Sequence, residues 1–415
     1  MTGAARRPAE TPAAPLARQA AEQAARTSYG RLLALLASRS RDIAAAEDAL
    51  AEALAAALAT WPERGVPDNP DAWLLTAARR NLGHARARGA TASAGAETMA
   101  MLQDERDSTA PMPLGDARLQ LLFVCAHPAI DAGVQAPLML QTVLGLDAAR
   151  IAASFLVAPA TMSQRLVRAK TRIRDAGIAF AIPAPDQLAP RRAAVLAAIY
   201  AAYGTAHDDV PAVAEAQGLA GEAIWLARLL GELMPDDPEA LGLLALMLFC
   251  EARRPARRDA AGGFVPLLAQ DARRWDAAML AEAEALLRAA ARFRTPGRFQ
   301  IEAAIQSLHT ETVLTGTANP GPLLALYDLL LATAPSTGAR VGRAVALAAL
   351  DVAAALADLD ALAARCTGYQ PWWAARAHVL RRAGDTAGAR DAARTAAGLA
   401  SDPAVRNWLL AASQE

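Results

Sequence analysis

The chain runs to 415 residues with 42 basic and 42 acidic side chains, so its formal charge is zero and any hold on nucleic acid has to come from local patches. That length exceeds what one hydrophobic core fills, about 250 to 300 residues, and predicts two to four domains. Apolar residues make up 54% of the chain but aromatics only 5%, with alanine supplying much of the rest, which predicts cores of closely apposed helices.

Arg6 and Arg7 are not followed by an apolar run, so export is not expected, and residues 1–26 read as a disordered tail. The longest apolar run, Leu241 to Cys250, is half a membrane span, and no membrane partner is expected. Cys125, Cys250 and Cys366 form no CxxC pair, which fits a reducing cytoplasm. Cys125 and His127 lie close together but fall short of a zinc ligand set, so they read as core packing, and neither metal nor cofactor is expected.

In residues 27–88, Asp42 is placed to cap a helix whose Ile43, Leu50, Leu54 and Leu58 share a face, with Glu47, Asp48 and Glu52 projecting away from it. Asn69 before Pro70 is a helix start signal. The helix it opens carries Arg79, Arg80, Arg86 and Arg88 with no acid between Trp73 and Arg88. From Gly89 to Gly115 the composition shifts to Ala, Gly, Ser, Thr and Met without a period, the signature of a tether that could extend to about 90 Å.

Within residues 116–180, the eighteen residues from Ala160 to Gly177 concentrate positive charge: Arg165, Arg168, Lys170, Arg172 and Arg174 against the single acid Asp175. Lys170 is the only lysine in the chain. Asp147 is placed to cap a helix in which Ile151 and Phe155 face inward, Pro159 forces a break, and Thr161 with Gln164 makes a capping box for the next helix. On that helix Met162, Leu166, Ala169 and Ile173 fall within one arc, which turns Ser163, Gln164, Val167, Arg168 and Thr171 outward and leaves Arg165, Lys170, Arg172 and Arg174 at the flanks. A helix, a short turn and a second helix with a polar centre and cationic flanks is the helix-turn-helix arrangement, in which cations meet phosphates and the central side chains reach base edges.

From Asp186 onward the pattern is helical and alanine-rich. Trp373, Ala377, Leu380, Gly384, Ala389, Ala396 and Pro403 stand where a tetratricopeptide unit places its large, small and glycine positions, and residues 223–254 read as a second, degenerate helix pair. No P-loop, nucleophile elbow, HExxH or Rossmann glycine pattern occurs, and His84, His127, His207, His309 and His378 are scattered, so no catalysis is expected.

In order along the chain, AEDALAEAL, WPERGVPDNPDAWLLTAARR, LLFVCAHPAI, FLVAPATMSQRLVRAKTRIRDAGI, GLLALMLFCEARR and GRFQIEAAIQSLH resemble stretches of the extracytoplasmic-function sigma factors of bacterial RNA polymerase, in the subgroup with a C-terminal tetratricopeptide-like extension. The resemblance covers nearly everything after the first 25 residues. It implies an all-α chain with sigma region two at 27–88, a linker at 89–115, region four at 116–180 and a tetratricopeptide-like domain at 186–415.

The same resemblance implies that Glu47, Asp48 and Glu52 dock on core RNA polymerase. Trp73, Arg79, Arg80, Asn81, His84, Arg86 and Arg88 would contact the minus-ten element of promoter DNA, and the loop Glu63 to Pro70, framed by Trp61 and Trp73, would capture an unstacked base. Ser163, Gln164, Arg165, Val167, Arg168, Lys170, Thr171 and Arg172 would read the minus-thirty-five element. A regulatory protein contacting the C-terminal domain is the third implied partner. The chain departs from the subgroup where Ala126 replaces a second cysteine, at YAAYGTAH, and between Ala269 and Asp276. The alternative, a helix-turn-helix regulator with a helical sensor domain, needs only residues 116–180 and the extension, and leaves 27–88 unexplained. A hydrolase or transferase built on the helical repeats would lack an acid, base or nucleophile.

Overall fold

A computed structural model describes residues 13–89, 114–154, 157–208 and 213–413. Among the described residues the regular structure is helical throughout, with one isolated bridge between Arg258 and Phe264, so the chain is all-α. It divides into two units, residues 1–229 and 230–415.

The first unit opens with α1 (Ala13–Ser40), where a tail was expected. Alanine is the strongest helix former, and Ala17, Ala21 and Ala24 recur at helical spacing and are buried, so residues 13–26 continue the helix rather than precede it. Helix α2 (Ile43–Arg64) starts as expected, with Asp42 Oδ1 accepting from the Ala45 N–H at 3.1 Å. Helix α3 (Pro70–Gly89) begins at the Asn69 signal, whose Oδ1 accepts from the Ala72 N–H at 3.0 Å. The three helices pack on one another. The buried side of α2 differs from the expected leucine stripe: it runs through Ile43, Ala46, Ala49, Leu50, Ala53, Ala57 and Trp61, while Leu58 is 47% exposed. Alanines let helix axes approach closely, and the longer Leu54 and Leu58 are displaced to the edge of the contact.

Next come α4 (Leu114–Cys125), α5 (Ala132–Leu144), α6 (Ala148–Ser154) and α7 (Pro159–Asp175). The expected tether between Gly89 and Gly115 lies almost wholly outside the described residues. Helix α1 packs against both α4 and α5. The crossing with α5 is close enough that a Cβ built on Gly30 would overlap the backbone carbonyl of Val143, and the Tyr29 ring sits over Gly145, whose φ of 68° ends α5 in a left-handed turn. Helices α8 (Pro185–Asp208) and α9 (Val213–Leu233) follow. Helix α8 packs on α4 and α5, with Arg191 donating to the Phe123 carbonyl at 3.3 Å, so the first helix of the expected extension belongs to the first unit. On α9, Trp225 lies beneath the Arg118 guanidinium at 4.9 Å.

The second unit is centred on α10 (Pro238–Ala252), capped by Asp237 and buried at every position from Ala240 to Phe249, a helix apolar all round because both α11 (Ala277–Ala291) and α12 (Arg298–Thr315) pack on it. Between α10 and α11 the chain makes three short 3-10 turns, and Arg258 pairs with Asp402 while Phe264 meets Trp408 edge-to-face at 5.5 Å. The rest is a succession of short helices: α13 (Pro320–Thr333), α14 (Thr337–Leu347), α15 (Val352–Asp360), α16 (Ala363–Cys366), α17 (Gln370–Arg382), α18 (Thr386–Leu399) and α19 (Pro403–Ala412). In α17 and α18, Gly384 makes the turn at φ 82°, Ala377, Leu380 and Ala389 are buried together, and Trp373 packs against them. No described helix is long and apolar enough to cross a membrane.

Candidate nucleic-acid interface

Helix α7 is the most amphipathic cationic element of the first unit, and its inner face is the expected one: Met162, Leu166, Ala169 and Ile173 are buried. Ser163, Gln164, Val167, Arg168 and Thr171 are exposed, Val167 to 62%. The start of the helix differs from the expectation. Pro159 occupies its first turn, Ala158 is the cap residue and makes no side-chain bond, so Thr161 and Gln164 form no capping box. Proline lacks only an N–H that the first turn leaves unpaired anyway, and its fixed φ suits that position. Helix α6 precedes it, with the Ile151 N–H donating to the Asp147 carbonyl and Ile151 buried. Phe155, expected to face inward, lies outside the described residues.

The flanks of α7 separate into two sides. Arg165, Arg168 and Arg172 line an open groove of about 440 Å³ with Ile130, Asp131 and Val134 from the start of α5. No ion pair among the described residues engages these three arginines, so their charge is directed at solvent. Helix α5 begins there with Asp131 Oδ1 accepting from the Gly133 N–H at 2.7 Å.

The other flank turns inward. Lys170 is 7% exposed, and its Nζ donates to both carboxylate oxygens of Glu47 on α2, at 2.7 and 2.5 Å. Two residues expected to grip different partners therefore hold each other. Burial raises the Glu47 carboxyl above its usual range even though the Lys170 charge pulls it down, and Asp48 and Asp42 add to the rise. Burial likewise raises the Tyr29 hydroxyl, with Glu47 adding to it, and pushes the Cys125 thiol up to about 12. Cys125 is buried with its Sγ 3.5 Å from the Thr142 hydroxyl, and His127 Nδ1 accepts from the Ala129 N–H at 3.1 Å. Arg174 completes the seam, 3.9 Å from Asp42 and 3.0 Å from Asp175.

On α2, Asp48 and Glu52 are exposed one turn apart and form an anionic edge without Glu47. On α3, Arg80 and His84 are exposed, whereas the Asn81 amide donates to the Ala49 carbonyl at 3.3 Å and so ties α3 to α2. Arg79 is half-buried, and the side chains of Arg86 and Arg88 lie outside the described ones. Trp61 is fully buried with its ring edge-to-face on Trp73 at 5.5 Å, a core position rather than an open one, while Trp73 is half-buried. Asp71 is taken up by Ser28 and Arg31 of α1.

The helical pattern did carry the signal for the Glu47–Lys170 pair. Ile43, Glu47 and Leu50 stand at i, i+4 and i+7, and so do Leu166, Lys170 and Ile173, which places each charge inside an apolar stripe. Among the described residues no three of His, Cys, Asp and Glu converge as a metal site.

Residues 191–291, from α8 through the end of α11, match a family of unknown function (DUF6596). No solved structure matches the chain. A protein of Rhizobium meliloti (strain 1021), described as uncharacterized protein R00370, is 37% identical over 371 residues, 87% of this chain and 88% of that one. Identity at that level over nearly the full length of both means that the chain belongs to the same family as the rhizobial protein.

Proposed function

We propose that the chain is a promoter-specificity subunit of bacterial RNA polymerase, of the extracytoplasmic-function sigma class that its sequence resembles. The observation that carries this is the α6–α7 pair: an exposed strip of Ser163, Gln164, Val167, Arg168 and Thr171 beside a groove whose three arginines make no ion pair among the described residues. An α-helix fits the major groove, short polar side chains reach base edges from its centre, and arginines take the phosphates. Exposed Arg80 adds a positive charge on α3, and Asp48 with Glu52 offers polymerase an anionic edge. The protein then performs no covalent chemistry. It positions the transcribing enzyme and lowers the cost of opening the duplex by stabilising the separated strand.

The test is run-off transcription with purified core polymerase on fragmented genomic DNA, with the start sites sequenced. Initiation at defined sites that depends on this chain supports the proposal, and initiation nowhere ends it. A second reading, a helix-turn-helix regulator acting without polymerase, draws on the inward turn of Glu47, which removes one of three acids from the polymerase-facing edge. It predicts footprints on DNA by the chain alone and no change when core polymerase is added.

A further inference from the structure

Helix α7 turns one large apolar side chain outward. Met162, Leu166 and Ile173 are buried, yet Val167 is 62% exposed, with Gln164 one turn before it and Thr171 one turn after. We infer that Val167 is a specificity-determining residue of this helix, packing on the 5-methyl group of a thymine in the major groove, an inference that rests on the promoter-binding reading above.

The surroundings of Val167 suit a base edge and not a protein. Ser163, Gln164, Arg168 and Thr171 beside it are all polar and exposed, so it is a single apolar point, not a patch on which a protein interface could build a dry core. Valine is also a poorer helix former than alanine, and at this exposure it regains little through burial. An isolated valine elsewhere on the surface would ask for no partner; this one stands in the strip that faces the bases. On the major-groove edges of the base pairs the one apolar substituent is the thymine methyl. Against a guanine, adenine or cytosine edge the valine methyls would dry a donor or acceptor without pairing it, whereas against thymine they bury apolar surface on both sides.

Helix geometry supplies the register. At about 100° per residue, Arg165, Arg168 and Arg172 fall on the flank away from Val167, along the groove they share with Ile130, Asp131 and Val134. Arginines that hold phosphates on that flank leave Val167 over the bases. Gln164 and Thr171 are seven residues apart, about 10 Å along the axis, which matches about three base pairs of duplex. The thymine therefore stands in the middle of the three, between the bases met by Gln164 and Thr171. One methyl contact changes affinity by about three- to fivefold.

Deoxyuridine in place of thymidine removes that methyl and leaves the pairing groups as they were. The probe is a promoter fragment recovered by the start-site mapping above, remade with deoxyuridine at each thymine of the upstream element in turn, on either strand. Holoenzyme assembled from core polymerase and the full-length chain, wild type or Val167→Ala, is titrated against each duplex at one salt concentration, and circular dichroism checks that the variant is folded. The expected result is one position at which the wild type loses about three- to fivefold, while Val167→Ala binds the thymine and deoxyuridine duplexes equally. If the upstream element holds no thymine, if the wild type binds every deoxyuridine duplex as tightly as the unmodified one, or if Val167→Ala stays as sensitive as the wild type, the methyl contact is overturned and the promoter reading stands. If the chain drives initiation at no site, the promoter reading falls and takes the contact with it.

Discussion

Lys170→Met removes the cation from a pair whose other half, the Glu47 side chain, keeps only 20% of its exposure. At a separation near 2.7 Å and an effective dielectric of about 20, the gross attraction is about 6 kcal/mol. Most of it offsets the cost of drying both groups, and at Glu47 that cost is the larger, as its raised carboxyl shows. The pair therefore adds little over an apolar replacement, but losing one partner strands the other. Lys170→Met should cost about 3 kcal/mol, the low end of the usual range because Glu47 keeps some water. Glu47→Leu should cost about 3 to 5 kcal/mol, because Lys170 is the more deeply buried of the two. The double variant Glu47→Leu with Lys170→Met should return to within about 1 kcal/mol of the wild type. Urea denaturation, read by hydrogen exchange of α2 and α7 peptides, measures all three. Additive losses, with the double variant equal to the sum of the singles within about 0.5 kcal/mol, would mean that the two side chains do not meet in solution.

Arg168→Ala should weaken binding to the cognate minus-thirty-five duplex by about 1 to 3 kcal/mol and leave unrelated DNA almost unchanged in a gel-shift comparison; equal losses on both would make Arg168 a phosphate contact. Asp48→Lys, at an exposed position on α2, should weaken core-polymerase binding in a pull-down titration while DNA binding by the full chain is kept. Trp61→Ala, which empties a fully buried site beneath Trp73, should cost about 3 to 5 kcal/mol in thermal or urea melts. In the second unit His309 is held down to about 4 by burial, and the Arg253 charge adds to that. A depressed histidine is neutral when folded and takes up a proton on unfolding, so the stability it confers is present above its unfolded value of about 6.5 and drains away as pH falls toward 4. The full loss is about 3 kcal/mol, and His309→Asn should flatten the urea midpoint of the second unit between those pH values.

Some of this architecture is legible in the linear sequence because it is local. Asp42 and Asn69 cap the helices they precede, and the inward arc Met162, Leu166, Ala169, Ile173 is buried as its period requires. What local pattern does not carry is the partner of a buried face. Glu47 and Lys170 lie 123 residues apart, and each alone looks like a charge on a solvated helix. Only the apolar neighbours one turn to either side mark them as interior. Alanine hides burial in the same way: Ala46, Ala53 and Ala57 share the inside of α2 with Ile43, Leu50 and Trp61, while Leu58 is left exposed, and a stripe traced through the large apolar residues alone points to the wrong side. The start of α7 turned on proline having two roles, breaking a helix from within and beginning one from its first turn, and the second applies at Pro159.

A buried ion pair is a poor way to gain stability and a good way to specify one arrangement, since the wrong register leaves a charge in the dry interior. Between α2 and α7 that property fixes where the two helices meet. With Glu47 and Lys170 at the contact, sliding one helix along the other by a turn would set each charge against apolar side chains, whereas a purely apolar contact would pack at least as tightly and tolerate the shift.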